Sequence, residues 1–427
     1  MDRLSEWADR RAAPVIATVA ALVAVLAYSL LEHTAAHGGK LTLVSPSDLW
    51  SLASSSSAIL HGHVGDIYQH YGALTSPPAL EFALAPVLGL GQLLGLSPHL
   101  HTGGQPLSLW LVLGPAAVLL ASTALFAVDA VARAWRLREG ERLALALVGA
   151  LGVANVIYWG HPEDCVAVAF VLWSALTMDR FGESGAGRAA LLLGVGIAFQ
   201  PLALLAVAPI FARLSWRAAA RLWWRLILPS ALVLIAPLLA EPHRTLFVLV
   251  RQPFEPRYVS LTPLTSFATH LGPGVDGGGM TRLLAIVAAA VLSIAVCHRR
   301  HSLPTVLTLV AVGFFFRIAL ETEMNWYYLW PVPALCLLLA LRRSTARFAL
   351  CSVALGASVV LGDRRVHDIV LWWPALMGTA VVMLLTAAPP PSRWRVLVAD
   401  LRPSRRRTQP VECTPMKETV GAGQHRA

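Results

Sequence analysis

Long apolar runs alternate with short polar segments along almost the whole chain. A helix that crosses a bilayer needs about 20 apolar residues, because every backbone group in the hydrocarbon must be satisfied within the helix. Runs near this length predict ten spans, at residues 14–31, 107–128, 143–159, 165–178, 226–240, 283–297, 303–316, 328–341, 347–362 and 369–388. The first run is followed by many others, so we expect a retained anchor and not a cleaved signal peptide.

The stretch 187–213 is apolar throughout but is interrupted by Gln200 and Pro201. Proline removes a helix donor and clashes with the preceding turn, so this stretch predicts two short helices that meet at the interruption. With these two helices, the pattern predicts an all-α integral membrane protein with about twelve transmembrane helices.

Composition supports this class of protein. Hydrophobic residues make up 56% of the 427 residues, charged residues only 14%, and the mean hydropathy is +0.62. A soluble domain of this size does not need so much apolar surface. The net charge of +10 comes from basic residues gathered between the spans, so we expect no nucleic-acid partner.

Basic clusters set the predicted orientation, because Lys and Arg concentrate in cytoplasmic loops. Both termini are then cytoplasmic in a multi-pass protein of the plasma (inner) membrane. The clusters lie at residues 133–142, 213–225, 299–300, 342–347 and 393–407.

The apolar segment 79–97 conflicts with this orientation if it crosses the membrane, since the cluster 133–142 would then face outside. The segment contains Pro86, Gly89, Gly91 and Gly95, which are poor residues for a helix interior. We therefore expect a re-entrant or interfacial helix at the outer leaflet.

The chain divides into a polytopic region, 1–388, and a basic tail, 389–427. The tail contains three consecutive prolines and Arg405–Arg407. This composition predicts a disordered cytoplasmic segment that is attracted to the anionic headgroups of membrane lipids. The five cysteines show no spacing typical of a disulfide framework or a zinc site, and we assign them no role.

The first outer loop, 32–78, is unusually long and polar, as functional loops often are. Its candidate residues are Asp48, Asp66, Tyr68, Tyr71, His61, His63 and His70. Asp48 follows Ser45–Ser47, so a carboxylate that only caps a helix is an equally good interpretation.

A second outer motif contains His161, Glu163 and Asp164 between two predicted spans. Ionisable groups at a membrane boundary are costly unless they are solvated, paired or used in function. The alternative is an ordinary helix start, with Pro162 in the first turn and the two acids favoured by the helix dipole.

The third outer cluster runs from Glu321 to Trp330 and is rich in Trp and Tyr, as an aromatic belt is. Arg317 precedes it within apolar sequence and needs an anionic partner, either Glu321 at i+4 or a ligand phosphate. The loop 241–282 adds Arg244, Arg251 and Arg257 on a side that should be poor in positive charge. These four arginines are candidates for binding an anionic ligand.

The first loop contains an ordered pattern: Asp48 after the first span, then Tyr68, then the pair Pro77-Pro78 before the next apolar segment. In this pattern it resembles the polyprenyl-phosphate-sugar-dependent glycosyltransferases of the C superfamily, in their mannosyltransferase-like branch, with Asp48 at the aspartate position, Tyr68 at the tyrosine and Pro77-Pro78 at the proline pair. Ser76 replaces the tyrosine of that branch. The superfamily also has a second acidic motif after its third span, where this chain has His161–Asp164.

The resemblance implies transfer of a mannose-like hexose from a polyprenyl-phosphate donor to a lipid or cell-envelope glycan acceptor at the outer face. Asp48 would be the general base of an inverting displacement, and the four arginines, Arg317 first, would hold the phosphate. Asp66 and Tyr68 would contact substrate, while His161, Glu163 and Asp164 would either orient the acceptor or bind a divalent cation. Some superfamily members use a divalent cation, so a metal is open and no other cofactor is expected.

Two other classes of protein remain open. A transporter or flippase for an anionic lipid or solute would also use a broken helix at Gln200-Pro201 and an intramembrane Arg317. A metal-binding or assembly protein is suggested by the outer histidines, with the pairs His61 and His63 or His99 and His101, although solvated loop histidines are the interpretation that the sequence favours. The absence of a Gly-rich nucleotide loop argues against a nucleotide-sugar donor.

Overall fold

The computed structural model describes residues 11–27, 47–68, 76–96, 107–251, 262–264, 277–297, 302–322, 324–363 and 369–389. Within these ranges every regular element is helical, which confirms the all-α prediction. The α-helices are α1 (Arg11–Ala27), α2 (Ser47–Leu60), α3 (Ala79–Leu93), α4 (Leu107–Ala134), α5 (Glu139–Tyr158), α6 (Pro162–Phe181), α7 (Ala186–Phe199), α8 (Val207–Phe211), α9 (Trp216–Ala240), α10 (Pro242–Arg251), α11 (Gly277–Cys297), α12 (Leu303–Ala319), α13 (Pro331–Arg343), α14 (Thr345–Asp363) and α15 (Ile369–Ala387). Short 3₁₀ helices lie at Val64–Tyr68, Gly182–Gly185, Pro201–Ala206 and Trp326–Leu329.

Five helical stretches in the described part of the chain are long and apolar enough to cross a membrane. They are Leu111–Ala134, Glu139–Tyr158, Pro162–Phe199, Trp216–Ala240 and Thr345–Gly362. The stretch Pro162–Phe199 contains both α6 and α7, which pack against each other on either side of the turn at Gly182. Six shorter apolar helices accompany these five, and the total of twelve spans stays a prediction.

Helix α6 lies at the centre of the main core. Most of its residues are buried, and it packs against α4 and α7. Helix α9, in contrast, presents its large side chains outward, including Trp223, Trp224 and Leu232. An apolar surface of this kind is expected where a helix faces lipid. The helix also begins earlier than predicted, so Arg217, Arg221 and Arg225 lie on α9 and not in a loop.

The predicted break at Gln200-Pro201 is confirmed. Helix α7 ends at Phe199, Gln200 has extended backbone angles (φ −152°, ψ 120°), and a 3₁₀ helix begins at Pro201. Gln200 therefore lies between the two helices and belongs to neither of them.

Part of the predicted outer loop is helical. Helix α2 packs against α3, and Leu49, Leu52, Leu80 and Leu84 form a small core with the beginning of α4. Helix α3 covers most of the segment 79–97 and continues through Pro86 without a break. Its position relative to the membrane stays a prediction. The tail 390–427 lies outside the described residues.

Candidate active site

Asp48 and His161 form the centre of the candidate site. Asp48 lies in the first turn of α2, and His161 immediately precedes α6. The Nε2 atom of His161 is 2.9 Å from Oδ2 of Asp48 although 113 residues separate them. The Asp48 side chain is 38% exposed, so it is both anchored by this contact and accessible.

Gly160 allows α2 to approach the turn between α5 and α6. Its φ of +83° lies in the left-handed region, which side chains other than glycine rarely adopt. A Cβ atom at this position would lie 2.7 Å from the backbone nitrogen of Leu49. The close approach places His161 beside Asp48.

Glu163 binds the other nitrogen of the same imidazole. The Nδ1 atom of His161 is 2.7 Å from Oε1 of Glu163, so His161 bridges two carboxylates. Pro162 occupies the first turn of α6 and Glu163 and Asp164 follow it, which confirms the predicted helix start. These residues can therefore both begin α6 and belong to a functional site.

The two carboxylates change the protonation of His161. Burial opposes the charged imidazolium, but the charge of Glu163 and the hydrogen bonds to Asp48 and Glu163 outweigh it and raise the pKa of His161 well above its usual value. A charged His161 donates one N–H to each carboxylate. These two ring N–H groups hold the carboxylates of Asp48 and Glu163 in fixed orientations.

Asp164 is hydrogen-bonded to Gln200, which directly follows α7. It is buried, and its Oδ1 accepts a hydrogen bond of 3.0 Å from Nε2 of Gln200. This bond joins the acidic motif to the break between α7 and the following 3₁₀ helix. Neither partner lies near the other in sequence, so the pairing follows from the packing of α6 on α7.

Aromatic rings connect His161 to the region of Arg317. The imidazole of His161 stacks on Tyr327, with ring centroids 3.8 Å apart and planes inclined by 15°. Tyr327 contacts Tyr328 edge-on at 4.5 Å, and the Arg317 guanidinium lies over Tyr328 at 4.7 Å. Part of the predicted aromatic belt is thus buried and organises the candidate site.

Arg317 has the partner predicted for it. Its NH2 atom is 3.5 Å from Oε2 of Glu321, one helical turn later. Glu321 is also bound by Arg282, whose Nε lies 3.2 and 3.1 Å from the two carboxylate oxygens and whose NH2 lies 3.1 Å from Oε1. Thr262 donates to the backbone carbonyl of Glu321 at 2.7 Å.

Two further residues, Arg282 and Glu81, were not predicted as candidates. Arg282 directly precedes the predicted span 283–297, so a basic residue at an outer membrane boundary is the signal in the sequence that marks it. Glu81 is almost completely buried in α3, and its Oε2 atom has no hydrogen-bond partner among the described residues. The charges of Glu163 and His161 act on Glu81, so it lies close enough to interact electrostatically with both.

One cavity of about 360 Å³ brings these groups together. Its polar wall contains Asp48, His161, Glu163 and Gln200, and its cationic part contains Arg282 and Arg317. The rest of the lining is mostly apolar and includes Leu204, Leu205, Val250, Leu283 and Ile286. A volume and lining of this kind are typical of small-molecule sites.

Other predicted site residues lie elsewhere. Tyr68 is buried and its hydroxyl donates to the backbone carbonyl of Ser76 at 3.0 Å, so it supports a residue of the cavity wall but is not itself among the lining residues. Burial, followed by the charge of Glu81, raises the pKa of Tyr68 and keeps this donor protonated. Asp66 is exposed on the 3₁₀ helix Val64–Tyr68 and is not part of the cavity lining.

The structure does not place the other three predicted arginines at the cavity. Arg244 lies on α10 and is not among the lining residues of the cavity. Arg251 is the last residue of α10, and its side chain lies outside the described part of the structure. Arg257 lies outside the described residues, as do His70 and Tyr71.

A divalent cation, which the sequence leaves open, does not fit the arrangement of the described side chains. No group of three or more His, Cys, Asp or Glu residues in the described ranges is arranged to hold a metal ion. The nitrogens of His161 are both engaged by carboxylates, which leaves neither for a cation.

Comparisons with known proteins give no relative. No protein-family model matches the chain, and no curated protein and no solved structure matches it.

Proposed function

We propose that the chain is a membrane glycosyltransferase that moves a mannose-like hexose from a polyprenyl-phosphate donor to a lipid or cell-envelope glycan. The proposal places the reaction at the outer face of the plasma membrane. The observation that carries it is the contact between Asp48 and His161 on the wall of a cavity that Arg317 also lines. Glycosyl transfer of this kind needs a base near a phosphate-binding cation.

In the proposed reaction, Asp48 removes the proton of an acceptor hydroxyl as its oxygen attacks the anomeric carbon of the donor. The bond between that carbon and the phosphate oxygen breaks, and its electron pair stays on the phosphate. The product phosphate gains one negative charge, which Arg317 and Arg282 stabilise. Attack opposite the leaving phosphate inverts the configuration of the anomeric carbon.

His161 and Glu163 support the base in this proposal. An imidazolium beside Asp48 favours the ionised carboxylate and directs its oxygens, while Glu163 retains the proton on His161. Asp48 can then act as the base without itself being buried. Its partial exposure allows contact with an acceptor that enters the cavity.

The test measures transfer of labelled sugar from polyprenyl-phosphate mannose and polyprenyl-phosphate glucose to membrane lipids. It uses vesicles that contain the wild-type protein, Asp48→Asn or Asp179→Asn at equal expression. Asp179 is exposed near the end of α6 and is not part of the cavity lining, so it controls for loss of a carboxylate. We expect Asp48→Asn to slow transfer by about 10²-fold to 10⁴-fold and Asp179→Asn to leave it unchanged.

Transfer that survives Asp48→Asn at the wild-type rate removes Asp48 from the chemistry. A wild-type protein that transfers neither sugar favours the second candidate function, a transporter or flippase. The specific observation for that class is that the helix break at Gln200-Pro201 lines the same cavity as Arg317. Movement of a fluorescent lipid phosphate between the leaflets of sealed proteoliposomes tests it directly.

A further inference from the structure

A second cavity, of about 430 Å³, lies between α8 and the first half of α9. Its lining consists of hydrophobic residues, among them Val207 and Phe211 of α8 and Ala219, Leu222, Trp223 and Leu226 of α9. A cavity without polar partners does not hold ordered water, so its natural occupant is an apolar group.

This cavity is continuous with the apolar surface of α9. Trp223 lines the cavity and is 57% exposed, and Ala220, which also lines it, is exposed as well. Further along the same helix, Leu232 and Leu239 are exposed. Because α9 is long and apolar enough to cross a membrane, the medium that this surface meets is the acyl chains of the bilayer.

Arginines gather at the same end of α9 as the cavity. Arg213 lies in the connection from α8, and Arg217 and Arg221 follow in the first two turns of α9. All three are exposed, and the stretch 213–225 contains no acidic residue. Among the described residues, none of the three forms an ion pair with a carboxylate. This end of α9 therefore presents positive charge that attracts an anion.

Exposed tryptophans indicate the depth of these arginines in the membrane. The guanidinium group of Arg217 lies 5.3 Å from the ring centroid of Trp216, which is 74% exposed. Tryptophan is enriched at the level of the lipid headgroups. Because a helix rises about 1.5 Å per residue, Ala219 to Leu226 lie roughly 5–15 Å beyond Trp216 along α9. The cavity is thus at the depth where the acyl chain of a lipid begins.

We propose that an anionic phospholipid binds here, with one acyl chain in the cavity between α8 and α9 and its headgroup phosphate held by Arg213 and Arg217. Along the chain, both arginines stand between Phe211 on one wall and Ala219 on the other, so they lie beside one end of the cavity. Basic pockets between membrane helices recognise anionic headgroups in this way. None of these residues lines the cavity that contains Asp48, so the site is independent of the proposed sugar transfer.

The experiment measures lipid binding to the purified full-length protein in detergent by native mass spectrometry. The probes are dioleoylphosphatidylglycerol, which is anionic, and dioleoylphosphatidylcholine, which carries no net charge. We expect the first phosphatidylglycerol to bind about tenfold more tightly than the first phosphatidylcholine. Glycerophosphoglycerol, which has the anionic headgroup but no acyl chains, should not displace the bound lipid.

The arginines are tested with the double variant Arg213→Gln/Arg217→Gln. It should bind phosphatidylglycerol no more tightly than phosphatidylcholine, because the charge-assisted contacts to the headgroup are lost. Arg136→Gln is the control, since Arg136 is exposed in another predicted basic cluster, between α4 and α5. It should keep the wild-type preference for phosphatidylglycerol.

The cavity is tested with Ala220→Phe, which places a large side chain at a lining position. It should weaken binding of both lipids by about tenfold, whereas Ala357→Phe, at an exposed position on α14, should not. Thermal unfolding checks that each variant folds, and Ala219→Leu replaces Ala220→Phe if that protein does not.

Equal affinity of the wild-type protein for the two lipids would overturn the proposal. Unchanged lipid affinity in a folded Ala220→Phe protein would do the same, as would an equal loss of preference in Arg136→Gln. A wild-type dimer that Ala220→Phe dissociates would identify a second copy of the chain, and not a lipid, as the occupant of the cavity.

Discussion

His161 lies between Asp48 and Glu163, with its Nε2 atom 2.9 Å from one carboxylate and its Nδ1 atom 2.7 Å from the other. Asp48 belongs to α2 and Glu163 to α6, so this single ring joins two helices that are distant in sequence. The bridge depends on the positive φ of Gly160 and on the closeness of Gly160 to Leu49. The His161 bridge holds Asp48, the candidate base, in a fixed position on the cavity wall.

The stability of the protein should decrease as the pH rises above neutrality. The folded pKa of His161 lies well above the unfolded value of about 6.5, so the charged ring stabilises the folded protein fully below that value. This contribution is lost as the pH rises through the folded pKa. The loss of stability is measured as a fall in the thermal unfolding temperature in detergent between about pH 6 and about pH 9.

The matching variant is His161→Asn, which has no titrating ring. Its unfolding temperature should be lower at neutral pH and should change less over the same range. A His161→Asn protein that shows the full wild-type decrease would assign the pH dependence to another group.

The ring of Tyr327 should matter more than its hydroxyl. Tyr327→Phe retains the stack on His161, while Tyr327→Leu removes an aromatic contact of about 0.5–1.5 kcal/mol beyond its burial. We expect Tyr327→Leu to lower both the unfolding temperature and the rate of sugar transfer. Tyr327→Phe should remain close to wild type in both measurements. Equal losses in the two variants would instead assign the role to the hydroxyl.

Gln200 should stabilise the protein through Asp164. Gln200→Leu removes the 3.0 Å hydrogen bond to a buried carboxyl group and should cost about 1–3 kcal/mol. Unfolding temperatures in detergent measure the loss, with Gln92→Leu on α3 as the matched control. Combining Gln200→Leu with Asp164→Leu removes both polar partners. The double variant should therefore lose less stability than the sum of the losses in the two single variants. Simple additivity would contradict a direct coupling between the two side chains.

The predicted orientation can be tested with single cysteines. Three native cysteines, Cys165, Cys336 and Cys351, are buried, and the background protein has all five replaced. Arg138→Cys and Glu183→Cys should react with a membrane-impermeant reagent only after the cells are opened. His63→Cys and Leu94→Cys should react in intact cells, and all four positions are exposed. Reaction of residue 138 from outside would reverse the predicted orientation.

The sequence determined the local features of this protein. Periodic apolar runs predicted an all-helical chain, Pro201 predicted the break after α7, and the spacing of Arg317 and Glu321 predicted their ion pair. These predictions succeed because backbone satisfaction in an apolar medium, proline sterics and the i to i+4 geometry all act over a few residues.

The tertiary structure alone decided which distant side chains meet. No local pattern predicted that Asp48 and His161 are in contact or that Arg282 lines the same cavity as Arg317. Packing of α2 on the turn at Gly160, and of Arg282 on Glu321, brings residues from separate helices together. Such contacts depend on the three-dimensional packing of helices whose apolar faces allow many arrangements, so no local pattern specifies them.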